Sequence, residues 1–148
     1  MCLKPAVVLL SFFLLSALSL GQTTLAVDDE PAYLARIELH TAAELYDLLQ
    51  RSQRLFQLSQ QAPATPVAFV LHGAEAKVFF RQQYTANQAL VDLAAKLSAF
   101  KVVDIRVCKT WMGGQSLDES QLLPFIGTVP VGVAEERRLL ERQGYNYF

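Results

Sequence analysis

Val67-Ala68-Phe69-Val70-Leu71-His72-Gly73 is the stretch on which the fold turns. Five apolar residues run without a polar interruption between Pro66 and the His72-Gly73 pair, too short for a helix and not alternating as a half-exposed strand would. Such a run fits a strand covered on both faces, the condition of a central strand in a parallel sheet. Downstream, Val102-Val103-Asp104-Ile105-Arg106-Val107 forms a second strand pattern that ends on Cys108. Between the two, Leu90, Leu93, Ala94 and Leu97 mark the buried stripe of a helix over residues 88–99, with Asn87 placed to cap it. Ala74 to Phe80 reads as a short helix, with Tyr84-Thr85-Ala86 as a turn.

Upstream, Ile37 and Leu39 alternate with charged neighbours in Ala35-Arg36-Ile37-Glu38-Leu39-His40, which predicts a first strand. Thr41-Ala42-Ala43-Glu44 then reads as a capping box opening an amphipathic helix over residues 42 to about 60, with Leu45, Leu48, Leu49, Ser52 and Phe56 on one face. Towards the carboxyl end, Ser116-Leu117-Asp118-Glu119 offers a second capping box for a turn that stops near Pro124. A strand over Ile126 to Val131 and a helix over Ala134 to Arg142 follow, with Gly144 as a left-handed cap. Tyr145-Asn146-Tyr147-Phe148 adds an edge strand or an aromatic tail. The alternation of strands and helices calls for an α/β fold: a mainly parallel sheet of four to five strands, right-handed crossovers, and helices on both faces in three layers.

Residues 1–26 carry Lys4, an apolar run from Ala6 to Leu20, and small residues before Asp28-Asp29-Glu30. That is the pattern of a secretory signal peptide, with cleavage after Gly21 or after Ala26. The expected organisation is therefore signal peptide 1–26, linker 27–34 and one domain over 35–148. An exported, periplasmic protein with no membrane attachment after cleavage is expected. Cys2 leaves with the peptide, so Cys108 is the single thiol of the remaining roughly 120 residues and has no internal disulfide partner. Loss of Lys4 leaves about 12 basic and 14 acidic side chains. A net charge near minus two argues against a nucleic-acid surface, which needs a basic stripe.

Cys108 stands at the carboxyl end of a strand, where α/β proteins keep their chemistry. Arg106 lies two residues before it, on the same strand face, and Lys109 follows directly. Cationic neighbours favour the thiolate, so Cys108 reads as a nucleophile with Arg106 and Lys109 as its activators, or else as a small buried hydrophobe. His72 ends the neighbouring strand, within reach of the same rim, and is a weaker candidate as a base towards the thiol. His40, at the end of the first predicted strand, has no better claim. The two histidines and the cysteine are too dispersed for a metal cluster, and Gly113-Gly114 lacks the rest of a phosphate-loop pattern, so no metal or cofactor is expected. The glycine pair reads as a loop giving backbone freedom after the cysteine. Trp111, Met112, Phe125 and the terminal aromatics exceed what one small core obviously needs, which suggests a subunit interface or a core aromatic cluster.

Val107-Cys108-Lys109-Thr110, Leu122-Leu123-Pro124, Val129-Pro130-Val131-Gly132-Val133-Ala134-Glu135 and Gln143-Gly144-Tyr145-Asn146-Tyr147 together resemble the closing signature of DsrE/DsrF-like proteins. Val70-Leu71-His72-Gly73 resembles that family's second-strand ending. The resemblance spans roughly residues 35–148. It implies a closed homo-oligomer and, by position within the strand-to-loop motif, a persulfide-carrying role for Cys108 in a sulfur relay, with donor and acceptor proteins as partners. Lys109-Thr110-Trp111 departs from the small and amide residues expected after the family's cysteine, and no second thiol is present to resolve a persulfide internally. The alternatives are a non-catalytic homo-oligomeric interaction module or a small-ligand-binding domain with a pocket at His72, Gly73, Cys108 and Trp111, the cysteine being buried and inert.

Overall fold

The computed structural model describes residues 30–59 and 61–148. The signal-peptide reading and both candidate cleavage sites lie outside the described residues. Among the described residues, no helix is long and apolar enough to cross a membrane.

Five parallel strands form one sheet in the order β4-β3-β2-β1-β5. They are β1 (Tyr33–Leu34), β2 (Val67–Leu71), β3 (Val103–Cys108), β4 (Gly127–Val129) and β5 (Asn146–Tyr147). Among the described residues, four α-helices accompany them: α1 (Ala42–Ser59), α2 (Gln88–Ala99), α3 (Lys109–Gly114) and α4 (Gly132–Gln143). A 3₁₀ segment at Ala74–Phe79 continues from β2, and shorter ones cover Arg81–Gln83, Thr85–Asn87 and Glu119–Gln121. The result is the three-layer α/β/α arrangement.

β2 sits at the centre, and all five of its residues are buried, as its uninterrupted apolar run requires. Phe69 and Leu71 join Ile105 and Val107 of β3 in the main core, closed by Leu45 and Leu49 of α1 and by Leu90, Val91, Ala94 and Leu97 of α2. The opposite face is smaller: Leu34, Ala68, Val70 and Val129 pack with Leu139 of α4. β2 and β3 run in register, Val70 beside Arg106 and Leu71 beside Val107, so their carboxyl ends emerge side by side. Arg106 and Cys108 alternate onto the face covered by α4.

The first strand is not where alternation placed it. β1 is Tyr33–Leu34, inside the stretch read as a linker, and the chain leaves the sheet after Ala35 N–H donates to the Ala68 carbonyl at 2.8 Å. The physical reason lies in Glu44, whose carboxylate accepts the N–H groups of Glu38, Leu39 and His40 at 2.8, 2.9 and 3.0 Å. Those donors are therefore lost to a strand ladder, and Leu39 is 73% exposed. The threonine half of the capping box forms as expected, Glu44 N–H donating to Thr41 Oγ1 at 3.2 Å.

Three further expectations are corrected. Gly113-Gly114 is the last turn of α3 and not a loop. The second capping box uses Asp118 and Gln121, two residues beyond Ser116, which itself takes φ 54°. Asn87 occupies the cap position of α2, but its side chain donates to the Gln83 carbonyl instead of receiving a helix N–H. Gly144 takes φ 68° after α4, the left-handed cap the sequence predicts. The terminal segment provides the edge strand, with Phe148 against Tyr33, ring centres 5.9 Å apart. Trp111 and Phe125 pack against the main core, Phe125 edge-on to Phe79.

Candidate functional site

Cys108 ends β3 and is 4% exposed. Its sulfur lies where two helices begin. As the N-cap of α3 it accepts the N–H of Trp111 at 3.4 Å, and it accepts the N–H of Gly132, the first residue of α4, at 3.2 Å. The Pro130 carbonyl is 4.0 Å from the sulfur and is the acceptor available to a thiol proton. Two backbone donors thus converge on one sulfur.

Gly132 is what lets α4 approach so closely. A Cβ there would stand 3.0 Å from His72 Cβ, 3.1 Å from His72 Cδ2 and 3.2 Å from Cys108 Cβ. His72 and Cys108 thus both lie beside the start of α4. His72 Nε2 lies 3.3 Å from Glu136 Oε1, one turn into that helix. The Glu136 hydrogen bond raises the His72 pKa above its ordinary value, burial opposes it, and the charges of Glu136, Glu75 and Cys108 add to the rise.

The two expected cationic activators are engaged elsewhere. Arg106 bonds Asp104 on its own strand and, at 2.9 Å, Glu135 of α4. Its Asp104 hydrogen bond raises the guanidinium pKa further, and Glu135 is also held by Arg138 at 2.6 Å. The Lys109 ammonium turns to Glu119 at 2.5 Å, where both side chains are about half exposed. Strand alternation did put Arg106 on the cysteine's face, but acidic partners 2 and 29 residues away took its charge.

Carboxylates invisible to the motif reading complete the rim. Glu75, two residues beyond the His72-Gly73 turn, is fully buried. Its Oε1 accepts the N–H of His72 at 3.1 Å and of Gly73 at 3.0 Å, while Oε2 lies 3.1 Å from His40 Nδ1. The His40 ring faces that of His72 with centres 4.9 Å apart. His40 thus joins the rim, contrary to the low claim its position in a supposed strand suggested.

Gly73 is required by crowding and not by its own backbone conformation. Its φ of −136° and ψ of −162° are extended backbone open to any residue. A Cβ there would instead fall 2.5 Å from Glu75 Oε2 and 2.5 Å from His40 Nδ1. The space against Gly73 that a ligand pocket would need is filled by the Glu75 and His40 side chains. The one signal in the sequence for Glu75 was a carboxylate inside an otherwise largely apolar segment, Ala74 to Phe80.

Among the described residues, no group of three or more histidine, cysteine, aspartate or glutamate side chains has the geometry to hold a metal ion. The arrangement suits a nucleophilic sulfur with a proton-accepting imidazole nearby.

No family model matches the chain, and no curated protein does. Among solved structures the chain is similar to a protein of unknown function, MTH1491 from Methanobacterium thermoautotrophicum. The two share 17% sequence identity with a TM-score of 0.53, over 78% of this chain and 93% of that one. A likeness at that identity is one of fold, and it supports the three-layer α/β architecture over nearly the full length of the neighbour.

Proposed function

We propose that the protein carries sulfane sulfur on Cys108 as a persulfide, in the manner of the DsrE/DsrF-like sulfur-relay proteins its motifs resemble. One observation carries the reading: the Cys108 sulfur accepts the N–H groups of both Trp111 and Gly132 at the starts of two helices. The donors that favour a thiolate are backbone amides, so the role expected of Arg106 and Lys109 passes to them.

In the loading step the Cys108 thiolate attacks the outer sulfur of a donor persulfide. A new S–S bond forms at Cys108, the donor's S–S bond breaks, and the donor departs as a thiolate. Sulfane sulfur moves between thiols with no net oxidation or reduction. Since the remaining chain has no second thiol after removal of residues 1–26, the persulfide is discharged to an external acceptor. Donor and acceptor proteins, a homo-oligomeric state and an exported, periplasmic location belong to this proposal.

The test is intact-mass spectrometry of the protein after incubation with glutathione persulfide. The expected result is the gain of one sulfur on Cys108, removed by reductant and absent from Cys108→Ser. Undiminished loading of that variant refutes the assignment. The 4% exposure of Cys108 favours a second reading, a non-catalytic interaction module with the thiol as a core residue. That reading expects no sulfur gain and thiol labelling only after denaturation.

A further inference from the structure

We infer that Glu75 and His40 form a carboxylate–imidazole pair whose free nitrogen is the general base for the thiol that enters the Cys108 site. The inference rests on the sulfur-carrier reading and assigns a proton acceptor to it.

Three independent features hold this one imidazole. Glu75 is fully buried, and two backbone N–H groups aim at its Oε1, which leaves Oε2 to accept from His40 Nδ1 at 3.1 Å. Nδ1 then carries the proton, and Nε2 is left as the basic nitrogen on a side chain that is 34% exposed. The His40 backbone takes φ 52°, a left-handed conformation that a histidine adopts at a cost. Glu44 of α1 pins that conformation by accepting the N–H groups of Glu38, Leu39 and His40. Backbone strain held in place by its surroundings is characteristic of functional positions. A fourth feature agrees: Gly73 leaves room for the pair by having no Cβ.

His72 is less suited to the same task, because its Nε2 is engaged with Glu136. The two rings stand 4.9 Å apart, and His72 lies with Cys108 beside Gly132, so His40 is one ring further out on the same rim. The groups facing His40 are Glu75 from the segment after β2, His72 from the end of β2, and Glu44 from α1 through the backbone. Glu136 and Cys108 lie beyond His72.

In the discharge step an acceptor thiol gives its proton to His40 Nε2 and attacks the outer sulfur of the Cys108 persulfide. The acceptor's S–S bond forms, the persulfide S–S bond at Cys108 breaks, and Cys108 leaves as a thiolate. The proton on His40 returns to that thiolate or to solvent. Glu75 acts as a positioning residue that selects the tautomer.

Two variants separate the roles. In His40→Asn the amide replaces Nδ1 as donor to Glu75, tolerates positive φ, and has no Nε2. In Glu75→Gln the amide oxygen still accepts from His72 and Gly73, but the amide N–H₂ faces Nδ1 and forces the proton onto Nε2. The wild-type histidine tautomer is read by ¹⁵N NMR, and transfer of sulfane sulfur from the Cys108 persulfide, loaded with glutathione persulfide, to free cysteine is followed in single-turnover mode across pH. Expected are an Nδ1–H tautomer in the wild type, an Nε2–H tautomer in Glu75→Gln, and transfer slowed about 10²-fold in both variants with loading stoichiometry unchanged. The low-pH limb of the transfer profile is lost in His40→Asn. A wild-type Nε2–H tautomer overturns the pair without any variant having to fold. Full loading with unchanged transfer rates in both variants overturns the pair alone, whereas absence of loading in the wild type overturns the carrier reading and, with it, the base.

Discussion

Replacing Gly73 by alanine tests the crowding at the rim most directly. The added Cβ falls 2.5 Å from Glu75 Oε2, 2.5 Å from His40 Nδ1 and 2.6 Å from His40 Cγ, against roughly 3.5 Å for an unstrained contact. The imidazole and the carboxylate must therefore withdraw by about 1 Å, which breaks a 3.1 Å hydrogen bond. Overpacking costs about 1–3 kcal/mol. A buried carboxylate deprived of its side-chain partner costs about 1–3 kcal/mol more. The reduced freedom of the unfolded chain offsets roughly 0.4–1 kcal/mol, because the Gly73 backbone is one that alanine adopts freely. The net expectation is a loss of about 1–5 kcal/mol, with a midpoint equivalent to a fall of roughly 10 °C in Tm for a domain of this size. Urea and thermal unfolding followed by circular dichroism measure it. A cycle with His40→Ala sharpens the test: that variant removes two of the three crowding atoms, so Gly73→Ala in its background is expected to cost at least about 1 kcal/mol less. A Gly73→Ala protein that melts within about 1 °C of the wild type, or costs that add to within about 0.5 kcal/mol, refutes the packing argument.

Gly113, in the last turn of α3, has open space where a Cβ would go, so Gly113→Ala is expected to stabilise the protein by about 0.4–1 kcal/mol, with the same unfolding assay as the check. His72 titrates above its ordinary value chiefly because of Glu136, so Glu136→Gln is expected to lower its NMR titration midpoint. Because the folded pKa is raised, the His72 contribution to stability is fully present below the unfolded value of 6.5 and is lost as pH rises through the folded value. Glu136→Gln is expected to flatten that part of the wild-type stability profile, measured by urea unfolding on both sides of the transition.

Local pattern was sufficient wherever the determinant was local. The uninterrupted run Val67–Leu71 has the bounds of β2, the stripe through Leu90 and Leu97 has those of α2, and Gly144 takes the left-handed cap, because burial periodicity and backbone conformation are properties of neighbouring residues. The parallel α/β architecture followed from the alternation of those elements. The same reasoning failed at Ala35–His40, where alternation was genuine but Glu44 captured the backbone donors a strand needs.

The place of Cys108 and His72 at adjacent strand ends was legible, since parallel strands carry their carboxyl ends to one rim. Their partners were not. Arg106 meets Glu135 across 29 positions, and His40 meets Glu75 across 35, distances over which no sequence period reports. Sequence by itself determined the central strands, the helices α1, α2 and α4, the sheet type and the cysteine at the rim. Tertiary structure decided which charges were already paired, that two helix starts direct their amides at one sulfur, and that a buried carboxylate meets a histidine 35 residues away. Those outcomes depend on which side chains reach one another across the fold, and hydrogen bonds and ion pairs act only at that close range.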